Sequence, residues 1–392
     1  MEELFYRYNP WWEEIPLFAG LIERPLIAEQ LKKHLTSKQI VFLTGLRRVG
    51  KTTLLKLMIK DLIVRDHIDA KHIFYISLDD YMLAKKSLTE IIDIYRKIHK
   101  LSYQEKVFLF LDEVAFQRDF EVQLKNLHDA QNVKIYASSS SASVLRNKKS
   151  YLTGRQVILE VLPLDFREYL DFKKIHVGRG NQHLIGTYFE DYMKTGGIPD
   201  YVLRGDIDYL RELVDDILYK DIASLYKIKN PQVLRDFFLL LMERSGKIIS
   251  INKIARILDI SPDTAKRYLH FFEETFLIYL LPRCGKTNER LLAPKKIYAA
   301  DLGIRTLFTG FRDKGSLFEN YVYLKIKHRQ PCYVYKNGLE FDFSIADKIL
   351  IEVKYGREMD VKQEALFKKL KNTKKFFIRS LEDLENIENE FI

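Results

Sequence analysis

Two hydrophobic rhythms alternate in the first part of this chain. Between positions 39 and 162, short apolar runs at 40–44, 72–78, 107–111, 133–137 and 156–161 are rich in β-branched and aromatic residues. Amphipathic stretches with helical spacing, such as 53–65 and 88–99, lie between most of them. Strands separated by helices imply βαβ units and a parallel sheet. After Pro163 the strands stop, and 166–172, 188–194 and 208–226 read as helices, with Gly196-Gly197-Ile198-Pro199 as a hinge-like break. A second helical set runs from 230 to 281. The last hundred or so residues return to mixed α/β, with strands at 332–336, 340–345 and 349–354. No internal repeat or low-complexity segment interrupts the pattern.

Length and composition narrow this picture. A chain of 392 residues suits two to four units, and 47% hydrophobic content builds real cores and argues against disorder. The only cysteines are Cys284 and Cys332. No disulfide framework is legible from them, which favours a reducing, intracellular compartment. No charge-free apolar run approaches a membrane span, and the start, with Glu2 and Glu3, lacks the pattern of a signal peptide. The expectation is a cytoplasmic protein with no membrane partner. The formal charge of +10 suits a polyanionic partner; a lysine-rich solvated surface of the kind seen in thermophiles is the alternative.

The sharpest chemistry lies at Gly45-Leu46-Arg47-Arg48-Val49-Gly50-Lys51-Thr52, a complete G-x-x-x-x-G-K-[ST] string. Its glycines let the backbone curl so that N–H groups point at phosphate oxygens. Lys51 brings a point charge to the β and γ phosphates, and the Thr52 hydroxyl is a magnesium ligand. An apolar strand precedes the motif and a helix opens at Thr53, whose N-terminus attracts anions. The expected ligands are therefore ATP or ADP with Mg²⁺.

Some sixty residues on, the apolar run 107–111 ends in Asp112-Glu113. Two acids at the end of a buried strand need a cation. Asp112 is expected to hold the magnesium, and Glu113 to orient and deprotonate the attacking water. The neighbouring strand ends in Ser138-Ser139-Ser140-Ser141, in the crevice where ligands of open α/β sheets bind. Ser139 is the first candidate to sense the γ phosphate, with an ordinary serine-rich turn as the alternative.

These elements resemble the additional-strand P-loop ATPases, the AAA+ group in particular. Leu152-Thr153-Gly154-Arg155, the stretch 161–169, the Asn9-Pro10-Trp11-Trp12 opening and the Gly196–Pro199 break sharpen the resemblance. They are similar to an archaeal and bacterial family of AAA-type ATPases in which an ATPase core precedes a winged helix and a restriction-endonuclease-like tail of undetermined function. The resemblance implies an α/β protein with a parallel-sheet P-loop (AAA+-like) ATPase core at 1–172 and a helical lid at 173–229. A winged helix at 230–296 and a mixed α/β restriction-endonuclease-like domain at 297–392 would follow. In such ATPases an arginine from a neighbouring subunit or domain often completes the site. By that analogy Arg155 is the candidate, with Arg47 and Arg48 as competitors, and a homo-oligomer is implied.

In the tail, 250–258 reads as a capped helix, and Ser261 with Pro262 opens a second one. That second helix leaves Thr264, Lys266, Arg267 and His270 outside, as a recognition helix would. Segments 276–281 and 295–300 can pair as a wing around a basic stretch that carries Arg283, Lys286, Arg290, Lys295 and Lys296. DNA is the expected partner, with protein contacts alone as the rival. Farther on, Glu319, Asp342 and Glu352 offer hard oxygen ligands for a second metal ion, with Lys354 beside Glu352 as a catalytic group. This set resembles the D-x(n)-E-x-K signature of restriction-endonuclease-like nucleases; an inactive relic with a salt-bridged hairpin is its rival. Two readings of the whole chain follow. One is a Mg-dependent ATPase coupled to a DNA-binding, DNA-cleaving half. The other is a nucleotide-controlled switch whose tail makes protein contacts only.

Overall fold

The computed structural model describes residues 1–13, 18, 20–141 and 151–391. The chain divides into two compact units, Met1–Leu162 and Pro163–Ile392.

The first unit is built on five parallel strands: β1 (Ile40–Thr44), β2 (Ile73–Ser77), β3 (Val107–Asp112), β4 (Val133–Ser139) and β5 (Gln156–Glu160). Their order is β2-β3-β4-β1-β5, so β4 stands between the phosphate-loop strand β1 and the acid-bearing strand β3. All five residues of β1 and all six of β3 are buried, as their apolar composition requires of central parallel strands. The helices Lys51–Val64, Leu88–His99 and Phe120–Ala130 link the strands, the second opened by a Ser87–Glu90 capping box.

The Asn9-Pro10-Trp11-Trp12 opening has a plain structural task. β2 lies at the sheet edge, and the Asn9 side chain pairs with it as a strand would. Its amide donates to Tyr75 O at 2.9 Å and its oxygen accepts from Tyr75 N at 2.6 Å. Trp12 donates to Ile73 O at 3.0 Å and stacks on Phe74 and Tyr95. An exposed edge invites pairing with other chains, and this segment caps it.

The second unit opens with helices, including Phe166–Phe172, Ile185–Thr195, Pro199–Arg204 and Ile207–Asp215. The predicted helix 208–226 changes character midway and continues as π-helix over Asp216–Ser224. The Gly196-Gly197 break is shaped by close approach. A Cβ on Gly196 would lie 2.3 Å from Asp301 Oδ1, and Gly197 N donates to Asp301 Oδ2 at 2.6 Å. Two short helices, Ile251–Ile257 and Pro262–Glu274, are N-capped by Ser250 and Ser261, and an antiparallel pair follows, β6 (Ile278–Leu281) with β7 (Lys296–Ala299). A last sheet has the order β11-β10-β9-β8, with β8 (Cys332–Lys336), β9 (Leu339–Ile345), β10 (Ile349–Val353) and β11 (Lys374–Ile378).

The cysteine expectation needs correction: Cys284 and Cys332 form a disulfide, 48 residues apart in sequence. Backbone pairing beside them brings the two together, with Cys284 N donating to Tyr333 O and Tyr333 N to Pro282 O. Proximity of this kind is invisible in a count of two cysteines, so that count loses its force as an argument for a reducing compartment. Among the described residues, no helix is long and apolar enough to cross a membrane.

Candidate functional site

The phosphate loop joins β1 to the helix Lys51–Val64 and needs unusual backbone at three positions. Gly45 has φ +141° and Gly50 φ +96°, and Arg48 is left-handed at +63°. A Cβ on Gly45 would lie 2.2 Å from Val161 O, so only glycine lets the loop pass under β5's end. Lys51 is buried and folds back on the loop, its ammonium donating to Gly45 O at 2.9 Å and Leu46 O at 3.0 Å. Leu46 and Val49 are buried, whereas Arg47, Arg48, Thr52 and Thr53 are half-buried.

β4 separates β1 from β3, yet the loop and the acids meet. Thr52 Oγ1 donates to Asp112 Oδ2 at 2.6 Å, bringing together the two oxygens expected to hold magnesium. Both are hard donors on rigid elements, so the residues present fit such an ion. Asp112 has two further partners. Tyr75 Oη donates to Oδ2 at 2.9 Å, and Ser138 Oγ donates to Oδ1. Burial and the Asp112 charge push the Tyr75 phenol far above its usual value, so it stays a donor.

Glu113 turns away from the strand with φ +51°. Its backbone N donates to Ser138 Oγ at 3.0 Å. Ser140 holds its carboxylate, with Oγ at 2.5 Å from Oε1 and N at 3.2 Å from Oε2. The serine singled out from the sequence, Ser139, points elsewhere: it accepts from Ser141 N at 3.1 Å and makes no bond to either acid. Alternation along β4 explains the difference, because Ser138 and Ser140 share a face and Ser139 takes the other.

Arg24 escaped notice in the sequence. It is 4% exposed and donates to Val49 O at 3.1 Å and Leu162 O at 3.0 Å, bracing the phosphate loop against the chain after β5. A lone arginine before a predicted helix gives no signal of this. Arg155 is not brought to this chain's own phosphate loop. It precedes β5, at the sheet end opposite the loop, and grips Asp129 with two bonds of 2.9 and 3.1 Å. That pairing holds the Asp129 carboxyl down at about 2.

In the second unit two of the acids singled out from the sequence, Glu319 and Asp342, do gather, but around a cation the chain itself supplies and with Glu340, which was not singled out. The Lys296 ammonium lies 2.8 Å from Glu319, 2.6 Å from Glu340 and 2.8 Å from Asp342. Its side chain is 1% exposed, which corrects its placement on a solvent-facing basic wing. Glu319 also accepts from Tyr298 Oη at 2.7 Å. Glu352 is fully buried; Lys354 lies 2.6 Å and Gln363 Nε2 2.6 Å from its Oε1, and Asp342 N donates to its Oε2. The oxygens that a metal would need are thus occupied by ammonium and amide donors, and the set as folded does not fit a divalent ion. Burial and the neighbouring Asp342 charge raise Glu319 to about 7 and Glu352 to about 8.

A family match agrees with this geometry in the first unit. Residues 37–170 match the family described as an AAA domain, and residues 186–315 match a domain of unknown function. An uncharacterized protein of Methanocaldococcus jannaschii is 28% identical over 353 residues, covering 84% of this chain and 78% of the relative. An uncharacterized protein of Haemophilus influenzae is 25% identical over 324 residues, covering 79% and 80%. Among solved structures, AMPPCP-bound DnaA from Aquifex aeolicus has 18% identity and a TM-score of 0.30, covering 69% of this chain and 92% of its own. CDC6P from Pyrobaculum aerophilum has 14% identity and a TM-score of 0.32, covering 80% and 98%. Residues 37–170, which contain the phosphate loop and the acidic strand β3, are thus similar to the AAA domain family.

Proposed function

We propose that the first unit hydrolyses ATP with magnesium and that the second unit carries the output of that cycle to a bound partner. The observation that supports this most is the contact between Thr52 and Asp112, which unites the phosphate loop with the acidic strand across β4. The loop amides between Gly45 and Thr53 hold the phosphates, and Lys51 leaves the Gly45 and Leu46 carbonyls to meet the β and γ oxygens. Thr52 and Asp112 would hold the magnesium, which when bound neutralises charge developing on the phosphate oxygens. Glu113 accepts a proton from the attacking water at its carboxylate, which Ser140 orients. Arg155, in this reading, serves a neighbouring copy.

ATP turnover should require Mg²⁺ and vanish in Lys51→Ala, while Glu113→Gln should keep ATP bound but slow hydrolysis by about 10² or more. Normal turnover in Lys51→Ala would overturn the proposal.

For the second unit we favour DNA contact without cleavage. The helix Pro262–Glu274 exposes Lys266, Arg267 and His270 on one side, and Lys286, Arg290 and Lys295 are exposed between β6 and β7. This supports a winged-helix role for 230–296, with 297–392 as an endonuclease-like fold whose acids are ion-paired. Charge reversal at Lys266, Arg267 and Arg290 should weaken DNA binding and flatten its salt dependence, since each phosphate contact releases counterions. Absence of DNA affinity at low salt would favour the rival, a nucleotide-controlled switch that contacts protein alone.

A further inference from the structure

Arg305 is a buried cation with two donors that no hydrogen bond satisfies among the described residues. It sits on the helix Leu302–Thr309, is 3% exposed, and its Nε and Nη1 atoms have no hydrogen-bond partner. Guanidinium does not neutralise itself, and a buried charge with idle donors is costly, so such a group implies an anion. The nearby acids are engaged elsewhere. Glu319 is held by Lys296 and Tyr298, and Asp313 caps the next helix through Ser316 N. Both favour the Arg305 charge, but neither bonds these two atoms, and burial still pushes its pKa down.

Arg305 forms part of the wall of a cavity of about 430 Å³, which Lys247, Arg312 and Phe308 also line. Lys247 and Arg312 are exposed at this wall, and Phe308 is half-buried. Three cationic side chains therefore face two acids, Glu243 and Asp313. The structure assigns to this cavity a phosphate group carried by a small molecule. A terminal phosphate brings up to two negative charges and three free oxygens, enough for three cationic partners, and the planar guanidinium fork matches it. A carboxylate brings one charge and two oxygens. A backbone phosphodiester likewise brings one charge and two free oxygens. Phe308 offers an apolar surface to the rest of the molecule. This site lies in the second unit and uses no residue of the phosphate loop.

The test uses the full chain in a Lys51→Ala background, so that the phosphate loop does not contribute, and titrates inorganic phosphate and pyrophosphate. Both anions should raise Tm and give saturable binding by calorimetry, with pyrophosphate the stronger. Arg305→Met should abolish the shift while leaving the anion-free Tm equal or higher, because a charge with idle donors is removed. Arg312→Gln with Lys247→Gln, both at exposed positions, should weaken binding several-fold, and this pair carries the test if Arg305→Met fails to fold. No shift with either anion, or equal binding after the rim substitutions, would overturn the assignment. A short single-stranded oligonucleotide that binds through Arg305 where the two anions do not would overturn it as well.

Discussion

Ser140 Oγ lies 2.5 Å from Glu113 Oε1, and the Ser140 backbone N binds the other carboxylate oxygen at 3.2 Å. The proposed base is thus held by two donors from β4's end, in line with the Ser138 grip on Asp112. The inserted strand β4 positions both acids while contributing none of its own.

Ser140→Ala removes one of these bonds and leaves the backbone one. We expect kcat to fall about tenfold with KM little changed, since a misplaced base loses transition-state assistance rather than ATP affinity. In a Glu113→Gln background the same substitution should have almost no further effect. Steady-state ATPase assays on the four proteins check this; additive losses would place the action of Ser140 elsewhere.

Lys296 balances Glu319, Glu340 and Asp342 from a side chain 1% exposed. Lys296→Met should destabilise the second unit by about 3–5 kcal/mol, because breaking a buried pair leaves uncompensated charge. Adding Glu319→Gln and Asp342→Asn should recover a large part of the loss. Urea denaturation of the three proteins reads the result, and a mild single-mutant effect would refute this account of the cluster.

Glu319 and Glu352, raised to about 7 and about 8, bind protons more tightly folded than unfolded. Between the ordinary glutamate value and about 8, the folded state holds more protons, so stability falls as pH rises through this window. Unfolding measured at intervals from pH 5 to pH 8.5 should show that decline. Glu352→Gln should flatten it, and an unchanged slope would remove Glu352 as its source.

The Cys284–Cys332 bond closes a loop across 48 residues. Chain-entropy reasoning assigns such a closure roughly 4 kcal/mol. Reduction with dithiothreitol should lower the Tm of the second unit, and Cys284→Ser with Cys332→Ser should reproduce the reduced value in the absence of reductant. Equal Tm in oxidised and reduced protein would show that the bond constrains nothing beyond what the backbone pairing of Pro282 and Cys284 with Tyr333 already holds.

The parallel sheet and the phosphate loop were legible along the chain because both are written in local terms. Positions 40–43 and 107–111 are unbroken apolar runs, and the glycine spacing of 45–52 dictates its own backbone. Caps such as Ser87 and Ser261 also act within one turn, so their helices were legible. Partnership between distant positions was not legible and emerged only in the folded chain. The choice of Ser138 and Ser140 over Ser139 depends on which face of the sheet the acids at β3's end take. The bracing by Arg24 spans 138 residues to Leu162. Lys296 reads as one more basic residue beside an exposed segment, yet β7 turns it inward onto acids 23 to 46 residues away. The reason is physical: a charged side chain carries no local sign of whether it meets water or a buried counter-ion, and that choice is made when separate elements pack.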